Sequence, residues 1–129
     1  MKTPQELKYN KTDEWVKVTG NIARIGISDY AQDQLSDIVY IEFNKEAGDT
    51  ISKGEILSTI ESVKAAADVI SPVGGKVLNV NEDLANNPEK LNSDPYVEAW
   101  LYEVELAALS DLDDLLKASE YESFCESRH

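Results

Sequence analysis

ESVKAAADVISPVGGKV, from Glu61 to Val77, is the stretch on which the reading of the whole chain turns. The residues leading into it, Ile56 to Val63, form an extended, β-branched approach, and a second extended run starts at Val69, so Lys64 falls near the tip of a β-hairpin. Its neighbours Ala65, Ala66 and Ala67 are small, which leaves the turn open to an enzyme that has to reach the ammonium. A solvated lysine on a turn accounts for the same local features. Pro72 lacks the amide proton that a ladder needs, so the run from Val69 to Val80 has to bend or sit at an edge before Gly74 and Gly75.

Working outward, short extended segments recur at even spacing, the pattern of an all-β sandwich or barrel. Glu14 to Ile27 contains two of them with a turn at Gly20 and Asn21. Ser28 is placed to cap a short helix through Leu35. Asp37 to Phe43 returns to the strand pattern, with Val39, Ile41 and Phe43 expected on one face and Ile38, Tyr40 and Glu42 on the other. Turns at Gly48 with Asp49 and at Gly54 bracket Ile51. Asn81 is expected to cap a helical turn over Glu82 to Asn86, ended by Asn87 and Pro88, with a loop from there to Pro95. The alternation around Trp100, Tyr102 and Val104 predicts a closing strand. Ser110 is expected to cap a helix over Asp111 to Leu116, and Ser119 with Glu122 a second one carrying Tyr121, Phe124 and Cys125, a C-terminal helical segment of about 110–126.

Composition narrows the chemistry. The 129 residues include 12 basic and 25 acidic side chains, a net charge of −13, with 42% hydrophobic residues, enough for a core and too many for an acidic disordered tail. One domain spanning 1–129 is expected at this length. The acidic excess repels phosphate backbones and anionic headgroups, so neither nucleic acid nor a membrane is an expected partner, and self-repulsion favours a monomer. Cys125 has no second cysteine to pair with, which excludes an intrachain disulfide and a thiolate metal cluster. The one imidazole, His129, stands at the end of the chain, where it is not expected to be held as a general base or metal ligand. A catalytic site would have to use carboxylates, tyrosines or lysines, and the carboxylates that stand together are Glu103 with Glu105, and Asp111, Asp113 and Asp114. A solvated sheet face and a dipole-matched helix start explain these without catalysis. The first residues, MKTPQELKYNKTDEW, carry no secretion signal, and a bacterial cytoplasm is expected, or a mitochondrial matrix for a processed chain.

The segment Glu61 to Val77 resembles the lipoyl-attachment segment of glycine cleavage system H proteins. DEWV at Asp13 to Val16, GISDYAQDQLSDIVYIEF at Gly26 to Phe43, AGDTISKGE at Ala47 to Glu55 and NEDLANNPEKLNSDPYVEAWL at Asn81 to Leu101 resemble further segments of that family, in the same order. The resemblance implies a mainly β fold, a flattened barrel/sandwich hybrid of the lipoyl-carrier type with short peripheral helices and a C-terminal helix. It implies a carrier, not an enzyme, with lipoic acid in amide linkage to Lys64 and Glu61 as part of what the attaching enzyme reads. The implied partners are a pyridoxal-phosphate glycine decarboxylase, a tetrahydrofolate-dependent aminomethyltransferase, dihydrolipoyl dehydrogenase, and a lipoate ligase or an octanoyltransferase with lipoyl synthase. A lipoyl-relay protein serving other complexes is the alternative. Biotinyl carriers share the general fold, but methionines typically flank their lysine, whereas Val63 and Ala65 flank Lys64.

The chain departs from the family at Asp13, where His is usual, at Val97 and Ala99, where Gly is usual, and at Ala67 and Gly74, often Ser. A labile aminomethyl cargo calls for shelter, and a groove near the hairpin and the Ser28 to Leu35 helix is expected, lined by tyrosine and apolar side chains.

Overall fold

A computed structural model of the chain describes residues 1–128, so the reading of His129 lies outside the described residues. Among the described residues nine strands form two sheets. The larger holds β1 (Lys8–Tyr9), β2 (Glu14–Thr19), β3 (Ile22–Ile27), β9 (Tyr102–Leu106), β8 (Gly75–Val80) and β5 (Thr50–Ile51), in that spatial order. The smaller holds β4 (Ile38–Phe43), β6 (Ile56–Ser62) and β7 (Ala66–Ile70), with β6 in the middle, and every pairing in both sheets is antiparallel.

The alternation of each strand dictates what lies between the sheets. Val16 from β2, Ala23, Ile25 and Ile27 from β3, and Tyr102 and Val104 from β9 meet Ile41, Leu57, Ile60 and Val69 of the smaller sheet in one buried cluster. Tyr102 brings a hydroxyl into it and satisfies that group by donating to Leu57 O at 2.7 Å, while Ser58 Oγ lies 3.0 Å away. β7 and β8 belong to different sheets, and the chain crosses between them over Ser71 to Gly74, which is the work of the bend expected at Pro72. Gly75 completes the crossing: a Cβ there would lie 2.0 Å from Glu105 O, so only glycine fits. Gly74 is under no such constraint. Its amide donates to Asp111 Oδ2 at 2.9 Å.

Three α-helices decorate the sheets: α1 (Asp29–Leu35), α2 (Lys90–Ser93) and α3 (Ala118–Glu126). Ser28 caps α1 as expected, its Oγ accepting from Ala31 N at 3.1 Å. Beneath α3 lies a second cluster of Leu7, Tyr9, Trp15, Ala118, Tyr121 and Cys125. In it the rings of Tyr9 and Tyr121 stack 4.6 Å apart, and the Trp15 indole donates to Pro95 O at 2.9 Å. Gly26 lies directly under that indole, and a Cβ at Gly26 would stand 2.6 Å from its ring atoms.

Five local expectations are corrected. The register of β4 shifts between Ile38 and Tyr40, so Val39 and Tyr40 both face solvent while Ile38 and Ile41 are buried; a bulge breaks the strict alternation assumed for that strand. The expected loop before Pro95 contains α2, whose Leu91 is fully buried. Asn81 does not cap the 3-10 turn over Glu82–Ala85; its amide donates to Glu98 O and Trp100 O and so ties the long loop to the closing strand. Ser110 lies inside a 3-10 turn, Leu109–Leu112, and not at the cap of a helix to Leu116. The chain extends after that turn, and Leu116 pairs with Tyr9 through two backbone bonds of 2.7 and 2.8 Å. The C-terminal helix begins at Ala118, where Glu120 Oε1 accepts from Lys117 N, so the Ser119–Glu122 spacing is not the cap. Propensity and cap spacing were outweighed in each case by what the backbone could pair with.

Candidate functional site

The hairpin formed by β6 and β7 turns over Val63, Lys64 and Ala65. Ser62 organises the turn. Its amide donates to Ala65 O at 2.8 Å, and its hydroxyl accepts from the amides of Lys64 and Ala65 at 3.3 and 3.0 Å, so the backbone is held while the side chain of Lys64 is left alone. Val63 N also donates to Asp37 O at 3.0 Å, which ties the tip to the start of β4. Lys64 is exposed, and its ammonium meets no hydrogen-bonding or ion-pair partner among the described residues. Glu61 is exposed too, standing in register with Tyr40 on one side and Ala66 on the other. The two residues singled out from sequence therefore share one hairpin end, three positions apart.

Beside this hairpin, between its inner wall and α1, lies a cleft of about 160 Å³. Ile60, Ala67 and Val69 come from the hairpin, Ala31 and Leu35 from α1, and Glu14 from the first residue of β2. Lys64 lies four residues beyond Ile60, in the turn that follows the end of β6 at Ser62. The expected groove is thus present by the hairpin and α1, but no tyrosine lines it. Tyr30 faces the opposite side of α1, toward a separate hollow shared with Cys125.

Glu14 is what the sequence reading missed. It is 1% exposed, accepts a hydrogen bond from Thr12 Oγ1 on one oxygen, and accepts from Ile70 N at 3.0 Å on the other. Burial disfavours the charged form more than these two donors favour it, and its carboxyl is pushed up to about 8. Strand alternation did not single it out, since Glu14, Trp15 and Val16 are all buried at the start of β2.

Three of the five carboxylates weighed as catalytic candidates have structural occupations. Glu103 pairs with Arg24 at 2.8 Å and accepts from Asn79, Asp111 holds the Gly74 amide, and Asp114 pairs with Lys53. No group of His, Cys, Asp and Glu suited to a metal ion occurs among the described residues, and no helix among them is long and apolar enough to cross a membrane. Val97 and Ala99 have no left-handed backbone, so the glycines usual at those positions are not needed for conformation here. Asp13 does adopt one, with φ 81°, a conformation that aspartate tolerates better than most residues.

A two-sheet β fold that presents a free lysine on an organised hairpin tip, beside a small cleft, defines a carrier of the swinging-arm type. The family model described as Glycine cleavage H-protein matches residues 7–128. The chain is 47% identical over 123 residues to a glycine cleavage system H protein of Carboxydothermus hydrogenoformans, covering 95% of this chain and 94% of that one. It is 49% identical over 121 residues to the Staphylococcus haemolyticus H protein, covering 94% and 95%. Among solved structures it is similar to the glycine cleavage system H protein of Mycobacterium marinum, with a TM-score of 0.84 and 33% identity over 93% of this chain and 96% of that one. The chain belongs to the glycine cleavage H-protein family.

Its members are carriers and not enzymes, and they hold a covalent lipoyl group on a lysine. The chain accordingly shuttles the aminomethyl group from glycine decarboxylase to the aminomethyltransferase and electrons to dihydrolipoyl dehydrogenase, with the lipoylating enzymes as further partners. Bacterial members are cytoplasmic, which agrees with the expected compartment.

Proposed function

We propose that Lys64 is the residue that carries the lipoyl group, that Glu61 is read by the enzyme attaching it, and that residues 1–129 act as one lipoyl-carrier domain. The observation that carries this reading is the contrast at the hairpin tip, where the backbone is pinned by Ser62 and the ammonium of Lys64 is unpaired and exposed between small neighbours. An attaching enzyme can grip a rigid turn and still bring its acyl carbon to bonding distance of a mobile amine. Glu61 offers a fixed negative charge on the same turn.

When bound, the lipoyl group supplies a disulfide that takes up the aminomethyl group and two electrons. The chain's own residues set where that cargo rests. Ile60, Ala67 and Val69 of the hairpin and Ala31 and Leu35 of α1 give the cleft an apolar side, Asp68 and Gln34 add polar groups from the same two elements, and Glu14 contributes a buried carboxyl to its lining. An aminomethyl amine that enters uncharged can take the proton of a buried acid, so that ammonium and carboxylate form together as a pair out of reach of bulk water. Ile60, Leu35 and Val69 exclude water around it.

The decisive experiment is intact-mass analysis of the folded protein after incubation with a lipoate ligase, ATP and lipoate. One lipoyl group is expected on the parent chain and none on Lys64→Ala or Lys64→Arg. The arginine variant keeps the charge but offers a guanidinium, which is not a nucleophile suited to amide formation. A lipoyl group on any other lysine, or an unmodified parent, overturns the assignment.

A further inference from the structure

The cleft is held in shape from behind by a connected set of groups that the carrier reading does not use. Ala31 N, in the first turn of α1, donates to Ser28 Oγ at 3.1 Å; Ser28 Oγ lies 2.6 Å from the Tyr121 hydroxyl; and Tyr121 donates to Asp13 Oδ1 at 2.7 Å. One phenolic proton goes to Asp13, so the serine proton points to Tyr121 and the chain runs in a single direction, each bond polarising the next. It ends at Arg128. The guanidinium forks onto Asp13, Nη1 to Oδ2 at 3.0 Å and Nη2 to Oδ1 at 2.8 Å, and Nη2 also donates to Lys11 O at 2.8 Å. The same guanidinium lies over the rings of Phe124 and Tyr30, 4.2 and 4.7 Å from their centroids.

This arrangement joins the start of α1 to the loop that leads into Glu14. Asp13 precedes Glu14 in the chain, and its own backbone is in the left-handed region, so the direction in which Glu14 enters the interior depends on Asp13 staying put. Asp13 O accepts from Ser28 N at 2.9 Å, which ties the same residue to the start of α1.

We propose that Arg128 is a positioning residue for the cargo cleft: by clasping Asp13 it fixes the Lys11 to Glu14 loop against α1 and cancels the negative charge that would otherwise stand next to Glu14. The charged or titratable groups around Glu14 are Asp13 on its own loop, Asp68 from β7, and Tyr121 and Arg128 reaching Asp13 from the C-terminal segment. Asp13 raises the Glu14 carboxyl by direct repulsion, so an Asp13 without its partner raises it further. The inference rests on the proposed sheltering role of the cleft, but its first test does not need a loaded arm.

That test is a carbon-detected NMR titration of the Glu14 carboxyl in the full, unlipoylated chain. Arg128→Gln is expected to move the midpoint upward by about half a unit or more. Asp13→Asn combined with Arg128→Gln is expected to bring it back to the parent value or below, a rescue that loss of packing alone would not give. Arg128→Lys, which keeps the charge without the fork, should fall between parent and Arg128→Gln and covers the case in which the glutamine variant folds poorly. A midpoint unmoved in both Arg128 variants overturns the proposal, as does a shift that the double variant fails to reverse. Release of the aminomethyl cargo from the lipoylated protein is the second readout, expected to be several-fold faster in Arg128→Gln and restored in the double variant. Unchanged release there overturns the positioning role. Release unchanged in Glu14→Gln instead sinks the sheltering reading, while the titration result for Arg128 stands by itself.

Discussion

Glu14 shows how far one buried acid can set the behaviour of a small protein. Its carboxyl titrates near 4.5 when free and near 8 in the fold, with burial as the first cause. Between those values the folded chain holds a proton that the unfolded chain has lost. Stability from this group is therefore complete below about pH 4.5, declines by up to about 1.4 kcal/mol per pH unit, and is gone above about pH 8. We expect urea melts between pH 5 and 8 to show that decline in the parent and a flatter profile in Glu14→Gln; parallel profiles would contradict the burial argument. The hairpin tip at Lys64 was legible in sequence because the strands on either side announce a turn, while the choice of that lysine came from the resemblance of Glu61 to Val77 and not from its local features. Glu14 was not, because a carboxylate at the start of a strand looks the same whether it faces water or a cleft, and 25 acidic residues hide it.

At the scale of elements, the strands were the legible part. Outside β4, their positions, the turns at Gly20, Gly48 and Gly54 and the bend at Pro72 lie where the periodicity puts them. The misreadings cluster where a short polar side chain had a choice. Asn81 reaches across the long loop instead of capping, and Ser110 yields to a pairing between Leu116 and Tyr9, a partner more than a hundred positions earlier that no local window contains. The bulge in β4 is equally non-local, since it is set by the register against β6. Within the hairpin, Ser62 is the residue that makes the tip rigid. We expect Ser62→Ala to leave global stability within about 0.5 kcal/mol, because the site is at the surface. Hydrogen exchange of the Ala65 amide should rise several-fold, and the kcat/KM of lipoylation should fall with it. A lipoylation rate equal to that of the parent would show that turn rigidity does not matter to the attaching enzyme.

For the whole molecule the dominant quantity is charge. A net −13 on 129 residues creates a field that draws the carrier toward basic rims and keeps copies of it apart. We expect the association rate with glycine decarboxylase to fall several-fold as ionic strength rises from about 0.01 to 0.15 M, while dissociation changes little; a flat salt profile would mean that encounter is not steered. The charge and the classes it excludes were fully legible in composition. The division of the interior into two clusters was not, because it depends on α3 folding back over β1 and β2. That division has a practical result through the indole seated on Gly26. Trp15 is wholly enclosed in the smaller cluster, whereas Trp100 packs on the edge of the same cluster and is only partly covered, beneath the Arg24 guanidinium at 5.1 Å. The two fluorophores thus differ in their access to water, and with Trp100 replaced by phenylalanine the remaining emission becomes a private optical gauge of whether the C-terminal helix is seated.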